Sequence, residues 1–478
     1  MISFTGEELI MFKKISEAAD SLQIPVRLIG GFVRDKILNR EDKDIDIVCL
    51  GDGIRLAKET AALFDPKPPV SFFKNFGTAQ IKIVSDSGSP VNIEFVGARK
   101  ESYQSQSRKP EVESATFEED IMRRDFTINT LAVDLDKNNF GALIDPLNGL
   151  KDITNKIIRT PLDPDQTFID DPLRMMRAIR FATQLQFLID PSTFQSIKRN
   201  ANRIKIVSGE RVIDEINKMV LAEKPSVGFK LMFDSGLLAI IFPQMTALAG
   251  TEFIDGLGHK DNFYHTLQVL DNISVHTKNL WLRWAAIMHD IAKPVTKNFE
   301  KGTGWTFHGH EVVGGRMVSK IFTQLKLPLN ENMRFVRKMV ELHLRPISLT
   351  KENITDSAVR RLLVDAGDDL ESLMMLCKAD ITSKNKQKVQ RYLANFEWVE
   401  KRLKEVEEAD NLRNWQPPIT GEIIMKEFGL PPSKEVGKIK TAVREAILDG
   451  IIPNKYEEAF QYMKKVAAEM GIAKTNQM

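Results

Sequence analysis

The sequence predicts an α+β protein: a head with a small mixed β-sheet, followed by an extended all-α body. Three observations predict it. Short β-branched runs separated by glycine and proline turns fill residues 1–140. From about residue 150, apolar residues recur at spacings of three and four almost to the end. The chain has 478 residues, 42% of them hydrophobic, too long for one ordinary domain and rich enough for several cores.

Residues 26–29, 45–48, 78–84, 91–96 and 131–134 read as strands. Turns at Gly30-Gly31, at Gly51-Asp52-Gly53 and over 85–90 separate them. Residues 173–188, 209–221, 280–292, 312–326 and 334–343 read as helices, with connections at 330–333, 346–347 and 415–420 and a break at Pro431-Pro432. The expected organisation is a head over 1–145, a helical neck over 146–225, a helical body over 226–390 and a helical tail over 391–478. Trp398 and Trp415 are expected in cores rather than as base-stacking platforms.

Cys49 and Cys377 are far apart and in no CxxC pair. They argue against a disulfide scaffold or zinc ribbon and fit a reducing cytoplasm. The first twenty residues are charged throughout, and no apolar run reaches membrane-spanning length. A cytoplasmic protein with no membrane partner is therefore expected. The net charge of +2 does not announce a nucleic-acid partner. Between Arg174 and Lys218, however, nine Lys or Arg face four Asp or Glu. Such a strip is either a phosphate-binding surface or a solvated helix face.

Two constellations carry chemistry. The run Ile29-Gly30-Gly31-Phe32-Val33-Arg34-Asp35 follows a strand and opens a helix, and Asp44-Ile45-Asp46 comes shortly after. Alternation along a strand puts Asp44 and Asp46 on one face, where hard carboxylate oxygens suit Mg²⁺. Two such ions activate an attacking hydroxyl and stabilise a leaving pyrophosphate. The glycines admit backbone N–H groups to a triphosphate, and Arg34 offers it a charge-assisted bond.

GGFVRDKILNREDKDIDIV resembles the first motif of the class II tRNA nucleotidyltransferase and bacterial poly(A) polymerase family. The resemblance continues at Phe76-Gly77-Thr78-Ala79, at Asn92-Ile93-Glu94-Phe95, from Ala98 to Tyr103, and at Arg123-Arg124-Asp125-Phe126-Thr127-Ile128-Asn129. Thr130 stands where the family has Ala. It continues again from Asp145 to Asp152, the family's hinge, and at Asp170-Asp171-Pro172-Leu173-Arg174, where Asp170 replaces Glu. The segment from Ser208 to Ile216 resembles a helix-stabilising motif. The resemblance implies a nucleotidyltransferase head whose metals are held by Asp44 and Asp46. It implies triphosphate contacts from Gly30, Gly31 and Arg34, phosphate or ribose contact from Arg124, and sugar positioning by Asp125. Glu94 alternates correctly to be a third catalytic acid, or it is a structural strand acid. Asp171 and Arg174, read as sharing a helix face, would select C and A by their base edges, an amino donor beside an acceptor. Arg177 and Arg180 would face triphosphate or tRNA.

All seven histidines lie between His259 and His343. Imidazole and carboxylate together bind divalent transition metals. The order His265, His289-Asp290 on a helix, then Asp380 resembles the HD phosphohydrolase superfamily, as does Gly309-His310-Glu311. The resemblance implies an HD-like body. Its first ion would be held by His265, His289, Asp290 and Asp380, and a second by His310 and His343. Asp356, Asp365, Asp368 and Asp369 compete with Asp380 for the last ligand. The tail segments at Ile419-Thr420-Gly421 and 429–450 resemble those of family members that carry an HD region.

The expected function is template-independent addition of CCA to the tRNA 3′ end from CTP and ATP, with Mg²⁺ in the head and a divalent transition metal in the HD site. The partner would be the tRNA acceptor arm, with no DNA. Rivals are a poly(A) polymerase, an enzyme adding only CC or only A, and an HD phosphohydrolase acting on RNA phosphates.

Overall fold

The computed structural model describes residues 2–40, 44–73, 77–84, 88–102, 111–350, 355–383, 385–410 and 417–472. The expectations for Phe76, Tyr103 and Trp415 lie outside the described residues. The chain divides into two compact units, Met1–Pro243 and Gln244–Met478.

Among the described residues, nine strands precede residue 145 in the first unit: β1 (Val26–Ile29), β2 (Asp44–Cys49), β3 (Val70–Phe73), β4 (Thr78–Val84), β5 (Pro90–Gly97), β6 (Arg99–Ser102), β7 (Glu111–Ser114), β8 (Ala132–Asp134) and β9 (Leu143–Ile144). Seven of them form one sheet in the order β3-β4-β5-β2-β1-β8-β9, while β6 and β7 pair separately. Only β2 and β5 run parallel within the large sheet. All five expected strands are present, and β3 and β9 widen the sheet. In β2 the apolar Ile45 and Ile47 are buried while Asp44 is exposed and Asp46 half-buried. Val48, on the acids' face, is covered by Phe117 and Ile121. One end of that face is thus core and the other is left to the carboxylates.

The helices of this unit are α1 (Gly6–Leu22), α2 (Gly31–Ile37), α3 (Gly53–Ala62), α4 (Phe117–Met122), α5 (Gly149–Asn155), α6 (Pro164–Asp170), α7 (Leu173–Leu185), α8 (Pro191–Asn200), α9 (Gly209–Val220), α10 (Ser226–Asp234) and α11 (Leu237–Ile241). Helix α7 stops three residues earlier than its periodicity suggests. Gln186 adopts a left-handed conformation, φ 56°, and Leu188–Ile189 becomes a strand paired in parallel with Ile157–Ile158. The neck is therefore not all-α. Residues 226–241, assigned from sequence to the next domain, stay with this unit. A Cβ on Gly228 would overlap Met219 of α9 and meet Thr183 of α7 at 2.6 Å, so α10 seats here only because that position is glycine.

A buried charged network ties α7 to the sheet-bearing head. Asp125 accepts from Arg177 Nε at 2.7 Å and from Asn129 Nδ2 at 2.9 Å. Asn129 in turn accepts from Arg34 of α2 at 2.6 Å. Glu215 of α9 pairs with Arg180. Phe181 sits in the middle, with the guanidinium carbons of Arg34, Arg177 and Arg180 at 4.9, 5.3 and 3.9 Å from its ring centre. Cation–π attraction of this kind offsets crowding of three like charges.

The second unit is helical, with two small hairpins. After the short α12 (Pro243–Thr246) come α13 (Asn262–Ser274), α14 (Leu280–Met288), α15 (Lys293–Thr296), α16 (His310–Leu325), α17 (Glu331–Leu342), α18 (Leu344–Ser348), α19 (Asp356–Ala366), α20 (Leu370–Ala379), α21 (Lys386–Asp410), α22 (Gly421–Phe428), α23 (Lys434–Leu448) and α24 (Tyr456–Glu469). The hairpins pair Phe253–Ile254 with Leu257–Gly258, and Asn298–Glu300 with Gly304–Thr306. Two expected connections are helical. Asn330 caps α17, which takes in 331–333, and Pro346-Ile347 lies inside α18. Helices α22 to α24 close their own core around Ile439, Val443 and Met463. Trp398 is not a core residue, being 52% exposed. The buried stripe of α21 runs through Phe396, Val399, Leu403 and Val406, and Trp398 falls between its ridges.

Burial would raise the Asp125 carboxyl, but Arg177 and Asn129 pull it down to about 2. A depressed folded-state value stabilises the fold above the unfolded value near 4, and that contribution is lost as pH falls from about 4 to 2. Asp125→Asn is therefore expected to lower stability at pH 7 by about 2–3 kcal/mol. It should also flatten the acid limb of the urea midpoint plotted against pH; an unchanged acid limb would remove this role from Asp125.

Candidate active sites

The head site forms where β1 turns into α2. Gly30 has φ 85°, a conformation that favours glycine, and a Cβ there would lie 3.3 Å from Asp46 Oδ2 and 3.4 Å from an Arg124 guanidinium nitrogen. The turn, the second aspartate and Arg124 thus meet at one point. Register pairs Asp44 with Asn92 and Asp46 with Glu94 on the neighbouring parallel strand. Asn92 Nδ2 donates to Asp44 at 3.1 Å. Burial pushes the Glu94 carboxyl up; Arg99 pulls it down, and Asp44 adds to the rise. Asp44, Asp46 and Glu94 thus lie on two paired strands and offer hard carboxylate oxygens of the kind a divalent cation takes.

Arg124 and Arg123 both bind Asp120, at 3.0 and 2.6 Å. Burial opposes ionisation of Asp120, but the two guanidinium groups hold its carboxyl below the usual range. Thr130 is buried and donates to the Thr127 carbonyl at 2.7 Å, so its hydroxyl is satisfied where the family has Ala.

Several sequence expectations change here. Arg34 is 6% exposed, and its guanidinium is spent on Asp35 and Asn129 rather than held out for a phosphate. Arg180 is 8% exposed and paired with Glu215, so it anchors α7 to α9 and does not face solvent. Asp125 orders Asn129 and Arg177. Asp171 does not share a helix with Arg174. It lies in the break between α6 and α7, because Pro172 begins the next helix. Its carboxylate accepts from Leu173 N at 3.1 Å and from Arg211 of α9 at 3.2 Å. Arg174 donates to the Arg123 carbonyl at 2.6 Å. Arg177 keeps about a third of its side chain exposed while bound to Asp125. Sequence reasoning missed Arg211, although it lies within the motif quoted at Ser208–Ile216.

In the second unit every expected HD ligand converges. His289 and Asp290 lie just past the end of α14, not on it, and His310 opens α16. His343 closes α17, and Asp380 closes α20. Three imidazoles are fixed alike, each placing Nδ1 on the carbonyl three residues back: His289 on Ala286 at 2.8 Å, His310 on Phe307 at 2.7 Å and His343 on Val340 at 2.6 Å. Those Nδ1–H bonds leave the three Nε2 atoms facing inward, buried and without a hydrogen bond. Buried orphaned nitrogens of this kind are metal-ligand atoms in waiting. Asp290 Oδ2 lies 3.4 and 3.2 Å from Nε2 of His265 and His289. Its Oδ1 lies 3.2 and 4.0 Å from Nε2 of His310 and His343. Each carboxylate oxygen therefore faces one pair of imidazoles, giving two groups that could each hold an ion.

Asp380 joins the first group, 2.9 Å from His265 Nε2. Asp356, Asp365 and Asp369 are engaged elsewhere by Arg402, by Arg345 and Arg444, and by Lys338. Burial would lower His289, yet Asp290 and Asp380 raise it to about 10. Burial and His289 together drop His343 to about 4. The cluster's field favours an added positive charge on its first half and a bare nitrogen on its second. An ion on the first half would take the place of the proton that His289 otherwise holds. His265 Nδ1 meets the Thr382 hydroxyl at 2.9 Å, and Lys260 Nζ donates to the same oxygen at 3.0 Å. Both cysteines are buried, with thiols pushed up, Cys49 to about 12, and they take no part in either site. Among the described residues no helix is long and apolar enough to cross a membrane.

Three family models match successive parts of the chain. Residues 26–159 match the poly A polymerase head domain, 186–248 the probable RNA and SrmB-binding site of polymerase A, and 262–384 the HD domain. The chain is 29% identical over 366 residues to the A-adding tRNA nucleotidyltransferase of Deinococcus radiodurans, covering 74% of this chain and 80% of that one. It is 31% identical over 313 residues to a multifunctional CCA protein of Pseudomonas fluorescens, covering 63% and 70%. It is 41% identical over 198 residues to the A-adding enzyme of Aquifex aeolicus, covering 41% of this chain but only 23% of that longer protein. A CCA-adding enzyme solved with ATP shares its fold, with TM-score 0.63 and 20% identity over 98% of this chain and 96% of that one. With head, RNA-binding and HD regions following one another along it, this chain belongs to the tRNA nucleotidyltransferase and poly(A) polymerase family, as a nucleotidyltransferase that carries an HD domain.

Proposed function

We propose that this chain adds CCA to the 3′ end of tRNA from CTP and ATP in the head, without a template. The observation that carries the reading is the meeting of Asp44, Asp46 and Glu94 on paired strands with the Gly30 turn and Arg124. Asp44 and Asp46 would hold Mg²⁺, with Glu94 beside them. Bound there, the ions would lower the pKa of the tRNA 3′-hydroxyl and steady the departing pyrophosphate. Gly30 and Gly31 give the triphosphate a close backbone approach, and Arg124 takes its charge.

Asp171 and Arg174 present the base-reading groups. Each is held by a neighbour, Arg211 or the Arg123 carbonyl, so their donors and acceptors are fixed before the nucleotide arrives. An amino group beside an acceptor, as on C and A, complements that pair; U and G invert it. Exposed Lys198, Arg199, Lys205, Arg211 and Lys218 supply phosphate contacts for the acceptor arm, read by shape and backbone. A second reading, addition of A alone, is favoured by the names of the Deinococcus and Aquifex relatives.

Purified protein given Mg²⁺, CTP and ATP with tRNA ending at the discriminator base is expected to add three nucleotides and stop. Asp46→Ala should lower the rate by a factor on the order of 10²–10³ or more. Addition only to tRNA already ending in CC would establish the second reading, and long A tails on plain oligoadenylate would overturn both.

The HD centre is expected to load two divalent ions per chain. Metal analysis after dialysis should find both lost in Asp290→Ala and one retained in His343→Ala. Equal loss in the two variants would refute the shared carboxylate.

A further inference from the structure

Of the four imidazoles in the HD cluster, His265 is held differently from the rest. His289, His310 and His343 each put Nδ1 on a backbone carbonyl three residues back. A carbonyl oxygen only accepts, so those rings must carry a hydrogen on Nδ1, and Nε2 is the nitrogen left for an ion. His265 puts Nδ1 on a side chain instead, the Thr382 hydroxyl at 2.9 Å. A hydroxyl donates as readily as it accepts.

The other nitrogen of His265 matches that freedom. Its Nε2 lies 2.9 Å from Asp380 Oδ1 and 3.4 Å from Asp290 Oδ2. An ionised carboxylate only accepts, so the contact with Asp380 puts a hydrogen on Nε2, and the hydroxyl can then donate to Nδ1. Ligation of an ion through Nε2 needs the reverse, with the hydrogen on Nδ1 and the hydroxyl accepting it. Thr382 serves both arrangements by turning its O–H, where a carbonyl would serve one.

Two neighbours hold that hydroxyl in place. Asn272, two turns along α13 from His265, donates to the Ala379 carbonyl at 2.8 Å and so seats the end of α20 against α13. Lys260 lines a cavity of about 500 Å³ that His265 and Asp380 also border. Its Nζ donates to Thr382 Oγ1 at 3.0 Å. An ammonium has no lone pair to offer, so Lys260 is a donor to that oxygen in either arrangement.

Resting on the reading of this cluster as a metal centre, we propose that Thr382 is a positioning residue for the first ion. Its hydroxyl lets His265 exchange tautomer, from a ring paired with Asp380 to a ring whose Nε2 takes the ion. Solvent takes the proton from Nε2 and supplies the one on Nδ1; the hydroxyl keeps its own and only turns. His265 is then the ring that yields and returns as that ion leaves and arrives, while the carbonyl-held rings stay set.

The full chain, isotope-labelled in its histidine rings, would be followed by NMR without metal and with Zn²⁺, using His265→Gln to identify the His265 signals. Competition with a chelator would give the Zn²⁺ affinities. The His265 hydrogen is expected on Nε2 without metal and on Nδ1 with Zn²⁺. Thr382→Val, which removes the hydroxyl, is expected to weaken one of the two Zn²⁺ ions by about tenfold or more and leave the other unchanged. Thr382→Ser should restore the affinity. An equal loss in Thr382→Ser, or a hydrogen on Nδ1 in both spectra, overturns the proposal. Should Thr382→Val fold poorly, Thr382→Ala against Thr382→Ser makes the same comparison. No uptake of Zn²⁺ by the unaltered chain overturns the metal reading and this role with it; uptake that is blind to Thr382→Val overturns this role alone.

Discussion

The ion pair between Asp125 and Arg177 is the constraint on which the first unit's chemistry depends. Asp125 belongs to the segment that closes the head, and Arg177 to the helix whose start presents Arg174. Between them they tie the start of α7, with Arg174, to the segment that follows the acidic strands. The surrounding groups explain why Asp125 can be buried. Asn129 relays the contact to Arg34, and Phe181 gives three guanidinium groups a π face instead of one another. Isolated, any of these charges would be costly to bury; as a chain of partners each is satisfied.

The second unit solves a different problem with a simpler rule. Its ligands sit at helix ends, where carbonyls lack an intrahelical partner and accept from a side chain. His289 and His343 close helices, and both use the carbonyl three residues back to fix their ring. That bond sets the tautomer, so the nitrogen left over must face the centre. Asp290 then needs no elaborate support, because the rings around it are already aimed.

The sequence made the acidic pair and the histidine cluster legible for the same reason: both depend on local geometry. Alternation puts Asp44 and Asp46 on one face whatever the rest of the sheet does, and a burst of histidines in one segment has few structural uses. Which arginines are buried was not legible. Arg34 and Arg180 have the composition of phosphate ligands, but their partners Asn129 and Glu215 are distant in sequence, and nothing local marks them. The break at Asp171 was foreseeable from Pro172, and Trp398 from the stripe of Phe396, Val399 and Leu403. The end of α7 at Gln186 and the two-residue strand at Leu188 reflect a tertiary pairing that periodicity does not contain.

Thr382 has one hydroxyl and two claimants. It meets His265, a ring of the ion-binding cluster, and it accepts from Lys260, a wall of the adjoining cavity. Whatever draws Lys260 away changes the company His265 keeps, and whatever tightens His265 changes what Lys260 is free to do. If moving Lys260 alters how His265 binds an ion, thermodynamic reciprocity makes the ion act back on Lys260 by the same factor. A single threonine just past the end of α20 thus joins a ring of the cluster to a lysine outside it.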